Sequence, residues 1–199
     1  MADESEDRTT YLRRESEALC KTLGLRENIL TEAFQEESDW AFIIKIDALL
    51  EMACRELIRK FLKLDVQNSF LKNEKLDDFI ESLSIVGRTS ILSLLEASSI
   101  PTDHRNFIRD VRTIRNRYVH DIRVIDTSLV DTILARKDKT SDLKNLSAIN
   151  EAGYKEAEFI DLITKDPTLL RFTILDETMR FLTVVHPIFY KKDDAIKSP

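Results

Sequence analysis

Along most of this chain the apolar residues recur at three- and four-residue steps, the repeat of one helix face and not the alternation of a strand. The clearest case follows Ser38-Asp39, where Phe42, Ile46, Leu49, Ala53, Leu57 and Phe61 form one stripe and Ile43 and Leu50 widen it. A face this broad belongs to a bundle core rather than to the narrow seam of a coiled coil. Asp39 is the expected N-cap, its carboxylate accepting free N–H groups of the first turn. Upstream, residues 1–8 read as a disordered acidic tail, 9–23 as a helix stopped by Gly24, and 26–36 as a short helix. Downstream, 66–75 reads as a polar linker and 76–97 as a helical region that Gly87 interrupts. SSIPTDHR is then a loop capped by Thr102 or Asp103, followed by a helix over about 103–120. Two shorter helical segments are expected near 126–137 and 141–164, separated by RKDKTSD. The last helix, 168–186, is apolar on most sides and so expected deep in the core; Pro187 ends it, and 191–199 is a polar tail.

Composition agrees with this pattern. Only 3 glycines and 4 prolines occur in 199 residues, too few for the turns of a sheet protein, so the fold class is all-α. Residues 9–190 are expected to form one domain, with its core at about 38–125 plus the last helix. The net charge of -6 offers no general attraction to nucleic acid, so any RNA contact must come from a local patch. Cys20 and Cys54 lie in separate helical patterns and read as buried free thiols. No apolar run reaches spanning length and the first residues are acidic, so no membrane association is expected and the expected location is the cytoplasm. No Cys/His/Asp cluster has metal-ligand spacing and no glycine-rich phosphate loop is present; the expectation is no metal and no cofactor.

The helix over 103–120 carries the candidate chemistry. Phe107, Val111, Ile114 and Tyr118 form its apolar stripe, and Arg105, Arg109, Arg112, Asn116 and His120 line the opposite face. Asn116 and His120 are four residues apart and can face one ligand. Arg115 lies beside the apolar stripe, about 140° from His120 if the helix stays regular. The two therefore converge only if the helix ends before His120 or if a second subunit completes the site. With Arg117 and Arg123, this stretch is a basic island in an acidic protein. Each residue also has a plain structural reading. A histidine near a helix C-terminus can face the dipole, a charged face is commonly just solvated, and an arginine beside an apolar stripe commonly pairs with a core acid, here Glu51 or Glu56. His104, at a helix start, is expected in solvent, and His186 at a helix end or in the core.

Arg115-Asn116-Arg117-Tyr118-Val119-His120, an Arg-Asn-x3-His run ending a helix, resembles the signature of the HEPN superfamily, over about residues 38–125. The stretches DWAFIIKIDALLEMACRELIRKFL and SIVGRTSILSLLEASSI are also similar to the mannitol operon repressor family. The HEPN resemblance implies a four-helix bundle, here with additional helices, and a metal-independent endoribonuclease whose site forms at a dimer interface. It also implies roles. His120 would be general base or acid at the RNA 2′-hydroxyl, Arg115 would hold the scissile phosphate, and Asn116 would orient His120 or the phosphate through its amide. Arg112, Arg117 and Arg109 are the candidate substrate contacts, products would carry 2′,3′-cyclic phosphate, and a toxin or defence role with a protein antitoxin would fit. The repressor resemblance implies instead a non-catalytic regulator that binds nucleic acid, a nucleotide or a protein partner. Both readings stay open at the level of sequence.

Overall fold

The computed structural model describes residues 8–65, 73–98, 100–147 and 153–189. Residues 1–7 of the expected tail 1–8, the tail 191–199 and residues 66–72 of the expected linker 66–75 lie outside these, whereas residue 8 and residues 73–75 are already helical. Among the described residues the chain forms ten α-helices and no strand, with one isolated bridge between Ser84 and Ser90. In order they are α1 (Arg8–Thr22), α2 (Ile29–Phe34), α3 (Asp39–Asp65), α4 (Asn73–Ser82), α5 (Ile91–Ala97), α6 (Thr102–His120), α7 (Leu129–Leu134), α8 (Lys139–Ser147), α9 (Glu156–Lys165) and α10 (Thr168–Phe189). A short 3-10 turn, Ile122–Val124, comes directly after α6.

The broad stripe of α3 makes the centre of the bundle. Phe42, Ile43, Ile46, Leu50, Ala53, Leu57 and Ile58 are all buried. α3 packs on α6 along one side and on α10 along the other, and α8 closes the ring by touching both α6 and α10. The fourth side of the core is thus supplied by α8, a helix outside the 38–125 span, through Leu143 and Leu146. Asn145 of α8 also donates to the Asp110 carboxylate of α6 at 2.6 Å. α4 and α5 pack on α3 instead, and α1 and α2 pack on each other and on α10.

Several boundaries differ from expectation, each for a local reason. Ser38 caps α3, its hydroxyl accepting from the N–H of Ala41 at 3.1 Å. Asp39 sits inside the first turn and serves a longer reach, accepting from the N–H of Leu129 at 2.5 Å and from Arg171 of α10. The cap position before α6 is Pro101, with no side-chain capping bond; Thr102 and Asp103 are already helical. The segment 141–164 contains two helices rather than one, α8 and α9, and α8 starts inside the charged RKDKTSD run. Pro187 does not end α10, which continues to Phe189. Gly24 does stop the first helical stretch in left-handed backbone (φ 66°), which a side chain would strain.

Tyr118 ties the end of α6 to the segment leading into α7. It is 1% exposed, its hydroxyl donates to the carbonyl of Thr127 at 3.0 Å, and it accepts from Thr132 Oγ1 at 3.3 Å. Burial pushes its phenol up to about 12. Tyr118→Phe is expected to cost about 1–2 kcal/mol, because the Thr127 carbonyl and the Thr132 hydroxyl lose their buried partner. Thermal unfolding should show this as a fall of about 2–8 °C; an unchanged midpoint would mean that this hydrogen bond does not hold the helix end.

Candidate functional site

The motif helix buries the expected stripe, with Phe107, Ile108, Val111, Ile114 and Tyr118 in the core. α6 stays helical through His120, and only Asp121 leaves helical backbone. The angle of about 140° between Arg115 and His120 is therefore kept.

The cations of α6 separate into those turned inward and those left outward. Arg112 turns to α3, where Nη1 donates to Asp47 and Nη2 to Glu51, each at 2.5 Å. Its side chain is only 14% exposed and that of Asp47 7%. Arg112, a sequence candidate for a substrate phosphate, has its guanidinium committed to two carboxylates of the core helix. The network continues along α3, where Arg55 donates to Glu51 at 2.7 Å and to the carbonyls of Ile80 and Leu83. Removal from water raises the Asp47 carboxyl above its ordinary value, with Arg112 and then Arg115 opposing that rise. Glu51 moves the other way: its two arginine partners outweigh desolvation and hold it below its ordinary value.

Arg115 lies about 60° around the helix from Arg112 and borders the same network. Its Nε is 3.6 Å from Asp47 Oδ2, and its Nη1 donates to Asn116 Oδ1 at 3.1 Å. The side chain remains 31% exposed. The acid that faces Arg115 is therefore Asp47, while Glu51 belongs to Arg112 and Glu56 pairs with Arg59 at 3.0 Å. Asp47 is absent from the sequence candidates. Its signal is nonetheless present, since it lies between Ile43 and Leu50 on a buried stripe where a lone carboxylate needs a cation.

Asn116 is half-buried and His120 is exposed, one turn further on. Arg117, expected at a substrate rim, donates to the carbonyl of Thr132 at 3.1 Å and so ties α6 to α7. Arg109 stays outward and donates to Asn106 one turn back at 2.7 Å. Arg105 pairs with Glu96 at 3.1 Å, and Arg123 forms a two-point pair with Asp121 that holds this carboxyl below its ordinary value. Much of the basic island is thus paired with acids of the same chain, Arg123 at the surface, and the part that faces outward beside it is Arg109, Asn116, His120 and the exposed fraction of Arg115. His104 is half-buried against Phe181, with ring centroids 5.8 Å apart, and not simply in solvent; burial lowers its pKa. The side chain of His186 lies outside the described residues.

One further feature adjoins the motif. Val119, Ile122 and Ile125 are exposed by 42%, 84% and 37%, an uncommon density of bare apolar side chains beside polar ones. Among the described residues, no group of His, Cys, Asp and Glu could hold a metal ion, and no helix is long and apolar enough to cross a membrane. Cys20 and Cys54 are free and buried, and burial raises both thiols. Comparison with known protein families, with curated proteins and with solved structures finds no match for this chain. The fold and site define it as an all-α helical bundle with a polar cluster at the end of α6.

Proposed function

We propose that the end of α6 is one half of a two-fold site for metal-independent cleavage of RNA, of the kind that the resemblance to HEPN domains implies. The observation that carries the reading is the regular helix through His120 together with the bare apolar residues beside it. A regular helix turns Arg115 and His120 about 140° apart, which favours a site completed by a second copy, and Val119, Ile122 and Ile125 give that copy something to bury. In the paired site His120 moves a proton at the attacking 2′-hydroxyl or the departing 5′-oxygen. The 2′-oxygen bonds to phosphorus as the P–O5′ bond breaks, and Arg115 of the second copy stabilises the charge that develops on the phosphate. Asn116, which accepts from Arg115 on its own chain, orients that guanidinium.

The test is incubation of the purified chain with RNA in EDTA, alongside sedimentation to determine its assembly. Cleavage by a dimer is expected. Ile122→Asp places a charge in the apolar contact, so it should yield monomer and lower cleavage by at least about tenfold while leaving the fold intact. A chain that is monomeric at micromolar concentration, or RNA that stays intact in every condition, would sink the reading.

A second reading is favoured by a different observation, the internal pairing of Arg105, Arg112 and Arg123. It leaves few cations to hold a strand and suits a non-catalytic regulator that binds a partner at the same surface. Partner binding that depends on Arg115, without any cleavage, would select it.

A further inference from the structure

On the first half of α6, away from the motif, a small polar pocket of about 110 Å³ opens between the 83–90 loop and the helix. Arg105 and Arg109, one turn apart, form one wall; Val86, Gly87 and Ser90 face them, with Glu96 at the rim. The serine hydroxyls are already in use. Ser90 Oγ donates to the Gly87 carbonyl and Ser93 Oγ to the Ser90 carbonyl, so the two guanidiniums are the side-chain donors on offer.

Arg105 carries an unexplained feature. Its Nη1 reaches Glu96 at 3.1 Å and its Nη2 reaches the Thr102 hydroxyl at 3.0 Å. Its Nε–H, shut off from solvent, has no hydrogen-bond partner among the described residues. A buried donor left without an acceptor is rare in folded proteins and asks for a reason. Nε–H and Nη2–H point side by side from one edge of a guanidinium, a fork that fits two oxygens of an oxyanion. On that edge Nη2 is engaged by Thr102, in the first exposed turn of α6, while Glu96, 69% exposed, pairs with Nη1 outside it. Both partners are at the surface and can swing away at little cost.

We propose that this pocket binds a phosphate group, with Arg105 gripping two of its oxygens and Arg109 neutralising its charge. Its size suits one such group and its wall carries two positive charges against the single carboxylate of Glu96. The site does not depend on RNA cleavage by the motif. It does share a face with it, because Arg109 and His120 are about three turns and about 16 Å apart along α6 and within about 20° in azimuth. A ligand carrying phosphates along its length could touch both.

The test is titration of the full chain, labelled with ¹⁵N and at low ionic strength, with inorganic phosphate. Saturable shifts are expected at the Arg105 Nε–H resonance and at the Val86 and Gly87 amides. Arg105→Gln should weaken binding by at least about tenfold, and Arg109→Gln by about two- to fivefold. Glu96→Gln removes the competing carboxylate and should tighten binding by about two- to fivefold, a gain that a purely structural ion pair would not produce. Adenosine monophosphate and an adenylyl dinucleotide without terminal phosphate separate the sources. Tighter binding of the first marks a terminal phosphate, and tighter binding of the second a backbone diester. Absence of saturation by 20-fold molar excess over about 1 mM protein would overturn the proposal, as would identical affinities in the wild type, Arg109→Gln and Glu96→Gln proteins.

Discussion

Replacing Arg112 by alanine is expected to lower the stability of this protein by about 3–5 kcal/mol, the usual result of removing one member of a buried ion pair. The cost comes less from lost attraction than from what stays behind. Asp47 is 5% exposed and would keep as its charged neighbours, among the described residues, the Nε of Arg115, at 3.6 Å, and the like charge of Glu51. Burial already raises the Asp47 carboxyl, so without Arg112 it should take up a proton nearer neutrality or force α3 and α6 apart. Glu51 retains Arg55 and suffers less. In a domain whose total stability is about 5–15 kcal/mol, such a loss is large. It should appear as a fall of about 6–20 °C in the unfolding midpoint. Asp47→Leu combined with Arg112→Met should recover more than half of it, since packed apolar side chains replace buried pairs at little cost. If Arg112→Ala unfolds within 1 °C of the wild type, the guanidinium is not holding the helices together, and its candidacy as a ligand contact returns.

His120→Ala should do the reverse, leaving stability within about 0.5 kcal/mol and removing activity. The side chain is exposed at the last residue of α6, and no core contact depends on it. Loss of a general acid or base lowers a rate by about 10²–10⁴-fold. The proposed two-chain site allows a sharper measurement. Mixing His120→Ala chains with Arg115→Ala chains should restore part of the cleavage, because a mixed dimer contains one intact half-site pair. Cleavage by His120→Ala at the wild-type rate would end the catalytic assignment. Loss of cleavage without any rescue on mixing would instead place both residues in a site made within one chain.

How much of the fold and site is legible in the sequence depends on the range of the interaction. Periodicity locates α3, α6 and α10, because the burial of each stripe leaves its mark in every turn. It also places Arg115 off to one side of His120, an angle that comes from local geometry alone. Caps are less readable: Ser38 and Asp39 are equally good capping residues by type, and the role falls to Ser38 because Asp39 is drawn to Leu129 and Arg171. Pro187 reads as a stop, although a helix can continue past a proline where its packing outweighs the lost hydrogen bond. The role of α8 is not readable either. Its apolar stripe is short, and only its contacts with both α6 and α10 make it a side of the bundle.

The order of residues along α6 by itself determined that the chain is helical, that one face is buried and that Arg, Asn and His groups gather at the end of a helix. What only the tertiary structure decided is which of those groups are spent inside the fold. Arg112 and Asp47 are 65 positions apart, and a helical repeat says which way a side chain faces but not which helix it will meet. Packing α6 on α3 brought the buried carboxylates of Asp47 and Glu51 to Arg112 and the edge of Asp47 to Arg115. Because a buried carboxylate must be compensated, the core claimed the nearest guanidinium and left His120, Asn116 and Arg109 at the surface.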